Sequence, residues 1–550
     1  MAQRTGGEAI VQALTAHGVD TVFGIPGYQT YYLIDALARA TPEIRLMTTR
    51  HEQGAGYMAF GYARATGRLG VCSVVPGPGV LNAASAIITA QSTATPMLCL
   101  VGEIPSFAIG KGIGLLHELP DQLGTLKTLC KHAVRVDRPA DAPDQVAEAI
   151  RIAQSGRPGA VVVEMAMDVM ARRDEVADDA GQPQAIDPGP LPDKAGIAAA
   201  VRLLDAARNP VIMAGTGAVP AAAEVEALAT RLQAPVVTLH NARGVVSDRS
   251  PLGFTTPQGY AYWKQADLVL GIGSRLEFPF IHWGEWEDKK LIRIDIERAE
   301  INRFGPPTVG LEGDARQVVA ALLEATRDLP ERADRSGEFD ALKAAVNARC
   351  EEVQPQMDYL KVIRSALPDD GFFVDEVTQV GYVSWYGFPV YRPRRFVSSG
   401  YQGNLGYGYA TALGVKAANP DTPVVSIAGD GGFLFTGMEL ATAVKYGLGV
   451  VAIVFRNDAY GNVARDQNQM FEGRVHGTAL TNPDFVALAQ SFGARGERAD
   501  SPAALARVLD AVLAENRPAL IEVPLPEAAD PWPPLFPKGL GGAVKHLISA

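Results

Sequence analysis

Two apolar runs, each followed by a polar residue suited to binding a cation, constrain the fold of this chain most. Val424 to Ala428 leads into Gly429-Asp430-Gly431-Gly432, and Val450 to Phe455 leads to Asn457 after a helix-like stretch, Phe433 to Tyr446. A strand, a helix and a strand in this order predict a parallel pair whose carboxyl ends share one edge. There, a carboxylate and an amide beside a glycine-rich turn suit Mg²⁺ holding a diphosphate. The alternative is an ordinary Gly-Asp-Gly turn and a strand-capping asparagine.

The same alternation of strands and helices recurs in three blocks of the 550-residue chain. The length exceeds one hydrophobic core, and 47% hydrophobic with 20% charged residues is a globular composition. Polar linkers at roughly 171–193 and 327–338 separate the blocks. We therefore predict an α/β fold of three doubly wound parallel-sheet domains, at residues 1–172, 192–328 and 350–530. The expected strands are 21–23, 70–75, 97–101, 210–213, 268–271, 291–295, 371–374, 424–427, 450–455 and 519–523.

Charge and composition narrow the classes of partner. The net charge is −11 with eight histidines and no basic block, so nucleic acid and anionic membranes are poor candidates. No apolar run reaches the length of a membrane span, and no signal peptide is recognised at the N-terminus. The four cysteines form no CxxC pair and are expected to be reduced thiols of a cytoplasmic protein; they are Cys72, Cys99, Cys130 and Cys350.

A segment of the first block, taken with the Gly429 to Asn457 segment, resembles a known family. Thr49 to Ala59 contains Arg50-His51-Glu52, and residues 432–456 put 25 positions between Gly431 and Asn457. These segments resemble the RHE motif and the GDG…N signature of the thiamine diphosphate (ThDP) decarboxylase and carboligase superfamily. That family has a pyrimidine-binding, a middle and a diphosphate-binding α/β domain, in this order. The resemblance covers essentially the whole chain.

The resemblance implies roles for residues at both ends of the cofactor. Glu52 would hydrogen bond to the aminopyrimidine ring and activate the cofactor, although alone it could be an exposed acid at a helix N-terminus. Gly77 and Asn82 lie in a loop resembling the one against the pyrimidine. In the segment Gly400 to Gly408, the Gly403 carbonyl would accept from the 4′-amino group, and Leu405 would bend the cofactor or else simply pack in the core. The implied cofactor-binding residues are Glu52, Gly77, Asn82, Thr378, Gln379, Gly403, Leu405, Gly429, Asp430, Gly431, Gly432, Asn457, Ala459, Tyr460 and Gly461, with Asp430, Asn457 and the Ala459 carbonyl on Mg²⁺.

The substrate side resembles acetolactate synthase large subunits and benzaldehyde lyase. Gln29, after Tyr28, stands where benzaldehyde lyase has a functional histidine. His117 stands where both relatives carry a catalytic glutamine. A histidine there would shuttle a proton near neutral pH, or else be a structural, hydrogen-bonded residue. The candidate catalytic residues are Glu52, His117, Gln29 and Tyr28.

The resemblance predicts an enzyme that forms or cleaves 2-hydroxyketones, a ThDP- and Mg²⁺-dependent lyase or carboligase. It would work through an enamine from a 2-oxo acid such as pyruvate, with an aldehyde or ketone as second substrate. The alternative is a non-oxidative 2-oxo-acid decarboxylase, which the missing histidine pair of pyruvate decarboxylase disfavours. A 2-hydroxyacyl-CoA lyase and a non-catalytic relative are weaker alternatives.

Two further expectations follow from where the chain departs from acetolactate synthase. Its flavin motifs are not matched at 252–255 and 274–279, so no functional FAD is expected, and Gly215-Thr216-Gly217 is interpreted as an ordinary turn. Its Met-Val-Arg-Gln-Trp stretch is replaced by Asn462 to Asp466. The family places the activating glutamate and the diphosphate site on different subunits, which implies a homodimer or homotetramer with shared active sites.

Overall fold

Three six-stranded parallel sheets organise the chain and confirm the predicted α/β fold of three doubly wound domains. The computed structural model describes residues 1–190 and 193–536. The predicted start of the middle domain, residue 192, lies outside the described residues, and the domain boundaries remain predictions. Within the described residues, no helix is long and apolar enough to cross a membrane.

The first sheet has the strand order β3-β2-β4-β5-β7-β6. Successive residues of its strands face different cores, since Val71 packs in one apolar cluster and Cys72 in the other. A separate antiparallel pair joins β1 to β8. The strands are β1 (Ala2–Thr5), β2 (Thr21–Gly24), β3 (Arg45–Thr48), β4 (Gly70–Val74), β5 (Met97–Glu103), β6 (His132–Val136), β7 (Ala160–Ala166) and β8 (Arg173–Val176), and the helices are α1 (Gly6–Ala16), α2 (Tyr31–Arg39), α3 (Glu52–Thr66), α4 (Pro78–Ser92), α5 (Gln122–Leu129), α6 (Ala142–Gln154) and α7 (Met167–Ala171).

The middle sheet has the order β11-β10-β9-β12-β13-β14. The turn at Gly215 is explained by packing, because a Cβ there would lie 2.2 Å from the Gly273 carbonyl oxygen. The interpretation of 215–217 as a strand–helix turn therefore needs no bound nucleotide. The elements are β9 (Pro210–Ala214), β10 (Val236–Thr238), β11 (Gly253–Phe254), β12 (Leu268–Ile272), β13 (Lys290–Asp295), β14 (Val309–Glu312), α8 (Lys194–Ala206), α9 (Ala222–Leu232), α10 (Thr256–Trp263), α11 (Arg298–Ile301) and α12 (Ala315–Ala325).

The third sheet has the order β16-β15-β17-β18-β20-β19. Helix α13 (Ser336–Cys350) precedes it. The strands are β15 (Phe372–Val374), β16 (Phe396–Val397), β17 (Val424–Gly429), β18 (Val450–Arg456), β19 (Arg495–Arg498) and β20 (Ala519–Pro524), and the helices are α14 (Gln356–Ala366), α15 (Gln379–Gly387), α16 (Gly408–Ala418), α17 (Asp430–Thr436), α18 (Leu440–Tyr446), α19 (Gly461–Met470), α20 (Phe485–Ser491) and α21 (Pro502–Ala514).

Helices α3 and α16 bring the first and third domains of one chain into direct contact. A Cβ on Gly61 would lie 2.0 Å from the Thr411 carbonyl oxygen, and one on Gly414 would lie 1.9 Å from the Met58 carbonyl oxygen. The two helices thus pack backbone against backbone, which only glycine permits at such distances. The position of α3 in the first domain is therefore tied to the third domain.

Three sequence expectations need correction. The linker expected at 171–193 contains strand β8. This strand forms an antiparallel pair with the N-terminal strand β1, so the segment is partly ordered by a distant part of the chain. The second expected linker, 327–338, ends inside α13, whose Phe339 is buried in the middle-domain core. The helix expected to start at Phe433 starts at Asp430, because Gly429 ends the strand and the glycine-rich segment forms the first turn of α17.

Candidate active site

The third sheet reverses its strand order between β15 and β17, and polar residues follow both strands. Thr378 precedes α15 as its N-cap but makes no side-chain capping hydrogen bond. On the other strand, a Cβ on Gly429 would lie 3.4 Å from Thr378 Oγ1. Ligands of doubly wound domains bind at such reversal points, and the N–H groups at a helix start favour phosphate. Thr378, Gln379 and Gly429 therefore meet where a diphosphate would bind.

Asp430 is the central acid of this edge and is 1% exposed. Its Oδ2 accepts from the Asp458 N–H at 2.7 Å and from Asn482 Nδ2 at 2.8 Å, while Oδ1 accepts from the Gly431 N–H at 3.0 Å. Burial raises the pKa of the Asp430 carboxyl, although these hydrogen bonds oppose the rise. Oδ1 accepts from one N–H group and Oδ2 from two, so Oδ1 keeps a lone pair that suits a bound cation.

Asn457 directly follows β18, and its side chain is held close to Gly461. Asn457 Oδ1 accepts from the Ala459 N–H at 3.3 Å. A Cβ on Gly461 would lie 2.5 Å from Asn457 Nδ2, so any side chain there would displace the asparagine. Gly431 is similarly required, since its Cβ would lie 2.6 Å from the Tyr460 ring. Together with Asp430, these five residues form a cradle in which neither glycine has room for a side chain.

The donor set fits a hard cation that also binds phosphate oxygens. Among the described residues, no group of three or more His, Cys, Asp or Glu side chains would hold a metal by itself. The predicted ligands, Asp430, Asn457 and the Ala459 carbonyl, would supply only oxygen atoms, and Mg²⁺ commonly completes its shell with water and substrate phosphates. The cradle therefore fits Mg²⁺ together with a diphosphate.

Glu52 lies at a second reversal point, between β2 and β4 of the first sheet. It is the first residue of α3, after the N-cap His51. Glu52 Oε2 accepts from Asn82 Nδ2 at 3.0 Å, and its Oε1 lies 3.5 Å from where a Cβ of Gly79 would be. Gly77, with φ +59°, donates its N–H to Gln122 Oε1 at 2.9 Å. Glu52 and the loop at Gly77, which the family resemblance assigns to the same end of the cofactor, are therefore neighbours in the structure.

The loop with Leu405 is held by a buried glutamate. Glu376 Oε1 accepts from the Gly406 N–H at 2.6 Å, and Oε2 accepts from the Gly408 N–H at 2.8 Å. Burial raises the pKa of Glu376 to about 8, with the loop N–H groups lowering it. Gly403 has φ +50°, a conformation that favours glycine. Leu405 itself is half-buried at the turn between these contacts.

His117 and Gln29 form a pair beside the Gly77 loop. His117 Nδ1 and Gln29 Oε1 are 3.2 Å apart, and Gln29 Nε2 donates to the Leu116 carbonyl at 2.9 Å. A Cβ on Gly77 would lie 2.4 Å from the His117 carbonyl oxygen. Gln29 is 2% exposed, whereas Tyr28 is 54% exposed. The structure therefore brings His117 and Gln29 together next to the pyrimidine-side loop and leaves Tyr28 at its surface.

Three supporting residues were not predicted from the sequence. Gln122 binds the Gly77 N–H, Asn482 bridges Asp430 and Asp458, and Glu376 holds the Leu405 loop. Gln122 lies five residues after His117, so a polar residue there was visible in the sequence. Adjacent acids at 375 and 376 after a buried strand were a signal of the same kind. Nothing local distinguishes Asn482.

Two half-sites at the reversal points of two parallel sheets define a three-domain α/β enzyme with a diphosphate-anchored cofactor. Three thiamine pyrophosphate enzyme family models match the chain, the N-terminal TPP binding domain at residues 4–125, the central domain at 197–322 and the C-terminal TPP binding domain at 376–523. The chain belongs to this family and is a ThDP-dependent enzyme.

Curated relatives cover nearly the full length. The chain is 35% identical to a probable 2-ketoarginine decarboxylase of Pseudomonas aeruginosa, over 94% of each chain. It is 31% identical to acetolactate synthase of Arthrospira platensis and to acetolactate synthase isozyme 1 large subunit of Escherichia coli, each over 97% of this chain and 96% of the relative. These proteins differ in the reaction that their names describe.

Proposed function

We propose that this enzyme decarboxylates a 2-oxo acid without oxidation and releases an aldehyde, with Mg²⁺ and ThDP bound. When bound, ThDP would supply a nucleophilic carbon and an electron sink for the electron pair that stays behind when the carboxylate leaves as CO₂. Thr378, Gln379 and the Asp430–Asn457 cradle would hold the diphosphate and the cation. Glu52 would hold the proton that activates the aminopyrimidine ring. The predicted roles of Gly77, Asn82, Gly403 and Leu405 belong to the same proposal.

The observation that supports decarboxylation most is the His117–Gln29 pair. Acetolactate synthases carry a glutamine amide at the His117 position, according to the sequence resemblance, and an amide does not titrate near pH 7. An imidazole can carry and deliver a proton, and Gln29 Oε1 lies 3.2 Å from Nδ1 of the His117 ring. A proton donor at this position favours protonation after CO₂ leaves, which gives an aldehyde. The 35% identity to a probable 2-ketoarginine decarboxylase supports the same reaction.

Carboligation is the second candidate. The acetolactate synthase relatives favour it, because their names describe the synthesis of acetolactate, a hydroxyketone product. The two reactions share the decarboxylation of a 2-oxo acid and differ only in what the resulting carbanion meets, a proton or a carbonyl carbon.

A product assay separates the two reactions. The enzyme, loaded with Mg²⁺ and ThDP, would be given pyruvate, other straight-chain 2-oxo acids and 2-ketoarginine, with and without an acceptor aldehyde. Equal amounts of CO₂ and free aldehyde are expected, whether or not an acceptor is present. Hydroxyketone as the main product in the presence of an acceptor would reject the decarboxylase in favour of the carboligase. No CO₂ from any 2-oxo acid would reject both.

The variant His117→Gln tests the role of the imidazole. Restoring the amide is expected to shift product from aldehyde to hydroxyketone, while leaving CO₂ release measurable. His17→Gln is the matched control, because it makes the same substitution at the end of α1, where the His17 ring contacts the Ala13 carbonyl away from the site. An unchanged product ratio in His117→Gln would assign His117 a structural role.

We also propose that two copies of the chain share each active site. Large apolar side chains are exposed beside both half-sites, including Tyr28, Leu116, Tyr401 and Phe435. Exposed apolar patches of this kind mark protein interfaces. Sedimentation equilibrium is expected to give a dimer or tetramer, and a monomer that retains full activity would exclude shared sites.

A further inference from the structure

A buried acid of the third domain contacts the start of the helix that carries Glu52. Glu439 has an exposed fraction of 0% and ends the 3₁₀ turn Gly437–Glu439 that follows α17. Its Oε1 accepts from the Arg50 N–H at 3.0 Å and from the His51 N–H at 3.0 Å. The partners are 388 and 389 positions away in sequence, so this contact exists only in the folded chain.

The two N–H groups lie immediately before α3. His51 is the N-cap residue, and its own ring accepts from the Gln53 N–H at 3.2 Å. Glu439 therefore binds the chain as it enters the helix, one residue before Glu52. A carboxylate at this end is also favoured by the helix dipole. The direction in which α3 leaves its first turn depends on this contact.

The glycine in the first turn of α3 shows how close the acid lies. A Cβ on Gly54 would be 2.3 Å from Glu439 Oε1, nearer than atoms without a bond approach each other. Thr442 holds the carboxylate from the other side, with its hydroxyl donating to Glu439 Oε2. The carboxylate is thus confined between the α3 backbone and α18, and it has one position.

We propose that Glu439 is a positioning residue that fixes the first turn of α3 and so directs the Glu52 carboxylate toward the aminopyrimidine ring of ThDP. The inference rests on the proposed role of Glu52 in cofactor activation. Glu439 acts only through the backbone of residues 50 and 51, and takes no part in anchoring the diphosphate. Losing it therefore slows cofactor activation and leaves ThDP affinity nearly unchanged.

The test measures exchange of the C2 proton of bound ThDP with solvent deuterium, by acid quench and NMR, alongside ThDP affinity by calorimetry with Mg²⁺. In Glu439→Gln, exchange is expected to fall about 10- to 100-fold, since a shift of about 1 Å in a reacting group costs up to ~10²-fold. Affinity should change little. Glu300→Gln is the matched control, a buried acid of the middle domain paired with Arg303.

Gly54→Ala approaches the same contact from the α3 side and serves if Glu439→Gln does not fold. Its methyl group would push the carboxylate away, so exchange should again fall while affinity holds. Gly337→Ala is its control. Gly337 lies in a different helix, α13, and a Cβ there would have no atom within 4 Å. In Glu439→Ala, which removes the obstructing carboxylate, adding Gly54→Ala should have little further effect.

The outcomes separate this inference from the proposed function. Wild-type exchange in both Glu439→Gln and Gly54→Ala would overturn the positioning role. Loss of ThDP affinity in parallel with exchange would also overturn it, since a general structural role predicts that result. Wild-type exchange in Glu52→Gln would instead overturn the activation role of Glu52.

Discussion

Replacing Asp430 by asparagine separates the cation role of this residue from its role in folding. The carboxylate accepts three hydrogen bonds, two at Oδ2 and one at Oδ1. An asparagine keeps one oxygen for the donors from Asp458 and Asn482. The other oxygen becomes an NH₂ group, which binds no cation and meets the Gly431 N–H. The apoprotein therefore loses one hydrogen bond, while the cation loses a charged ligand.

The expected magnitudes follow from these contacts. The apoprotein should lose about 1 kcal/mol of unfolding free energy, the typical net value of one hydrogen bond. Removing a charge-assisted ligand contact of about 3 kcal/mol weakens Mg²⁺-dependent ThDP binding about 100-fold. At a ThDP concentration of ~100 times the wild-type Kd, ligand stabilisation would then drop from about 2.7 to about 0.4 kcal/mol.

Calorimetry and thermal unfolding with and without Mg²⁺ and ThDP measure both quantities. Asp458→Asn is the matched control, because it makes the same substitution at a side chain that is 48% exposed and paired with Arg456. Its backbone N–H to Asp430 is retained, so near-normal ThDP binding is expected. If Asp430→Asn binds ThDP as tightly as the wild type and is stabilised equally by it, the cation role assigned to Asp430 is wrong.

Three further variants test other parts of the site. Burial raises the pKa of Asp375 to about 7 and that of Glu376 to about 8; because the unfolded chain releases these protons near pH 4, the unfolding free energy should fall as the pH rises from about 5 to 8. Urea titrations should show a weaker pH dependence in Glu376→Gln, and an unchanged one would contradict the assignment. Leu405→Ala should lower turnover by about 10-fold or more while ThDP affinity by calorimetry stays close to normal, because the diphosphate cradle is untouched; a comparable loss of affinity would place Leu405 in anchoring instead. Gly61→Ala puts a Cβ 2.0 Å from the Thr411 carbonyl oxygen, so it should destabilise the chain by about 1–3 kcal/mol in denaturant unfolding, and a neutral result would contradict the close packing of α3 on α16.

The core strands were predictable because each is a continuous run of apolar residues, which is the pattern of a strand buried on both faces of its sheet. Strand β17 was expected at 424–427 and extends over Val424–Gly429, and β12 was expected at 268–271 and extends over Leu268–Ile272. Strand β8 was not predictable, since three of its four residues are charged and it depends on pairing with the N-terminal strand. Local periodicity reports burial, and an edge strand stabilised by a distant partner has none of its own.

The same distinction explains which site residues were found. Asp430 and Asn457 follow strands directly, so their positions come from the strand pattern itself. Gln122, Asn482 and Glu439 act through contacts to segments 45, 52 and 388 positions away. Only the Glu439 contact joins two domains, but all three are set by tertiary packing, and a single sequence carries no local record of which segments that packing brings together.

The arrangement also explains why relatives with different reactions share this fold. The cradle around Asp430 lies at the edge of a sheet, after strands β17 and β18, and Glu52 begins helix α3, whose entry Glu439 binds through the N–H groups of Arg50 and His51. His117 instead lies in an irregular segment, with φ +69°, and is held through Gln29. A change at such a position alters the groups that meet the substrate without disturbing the sheets that hold the cofactor. We therefore expect the segment around His117 to decide which reaction this enzyme performs, and exchanging that residue tests this expectation with the cofactor site intact.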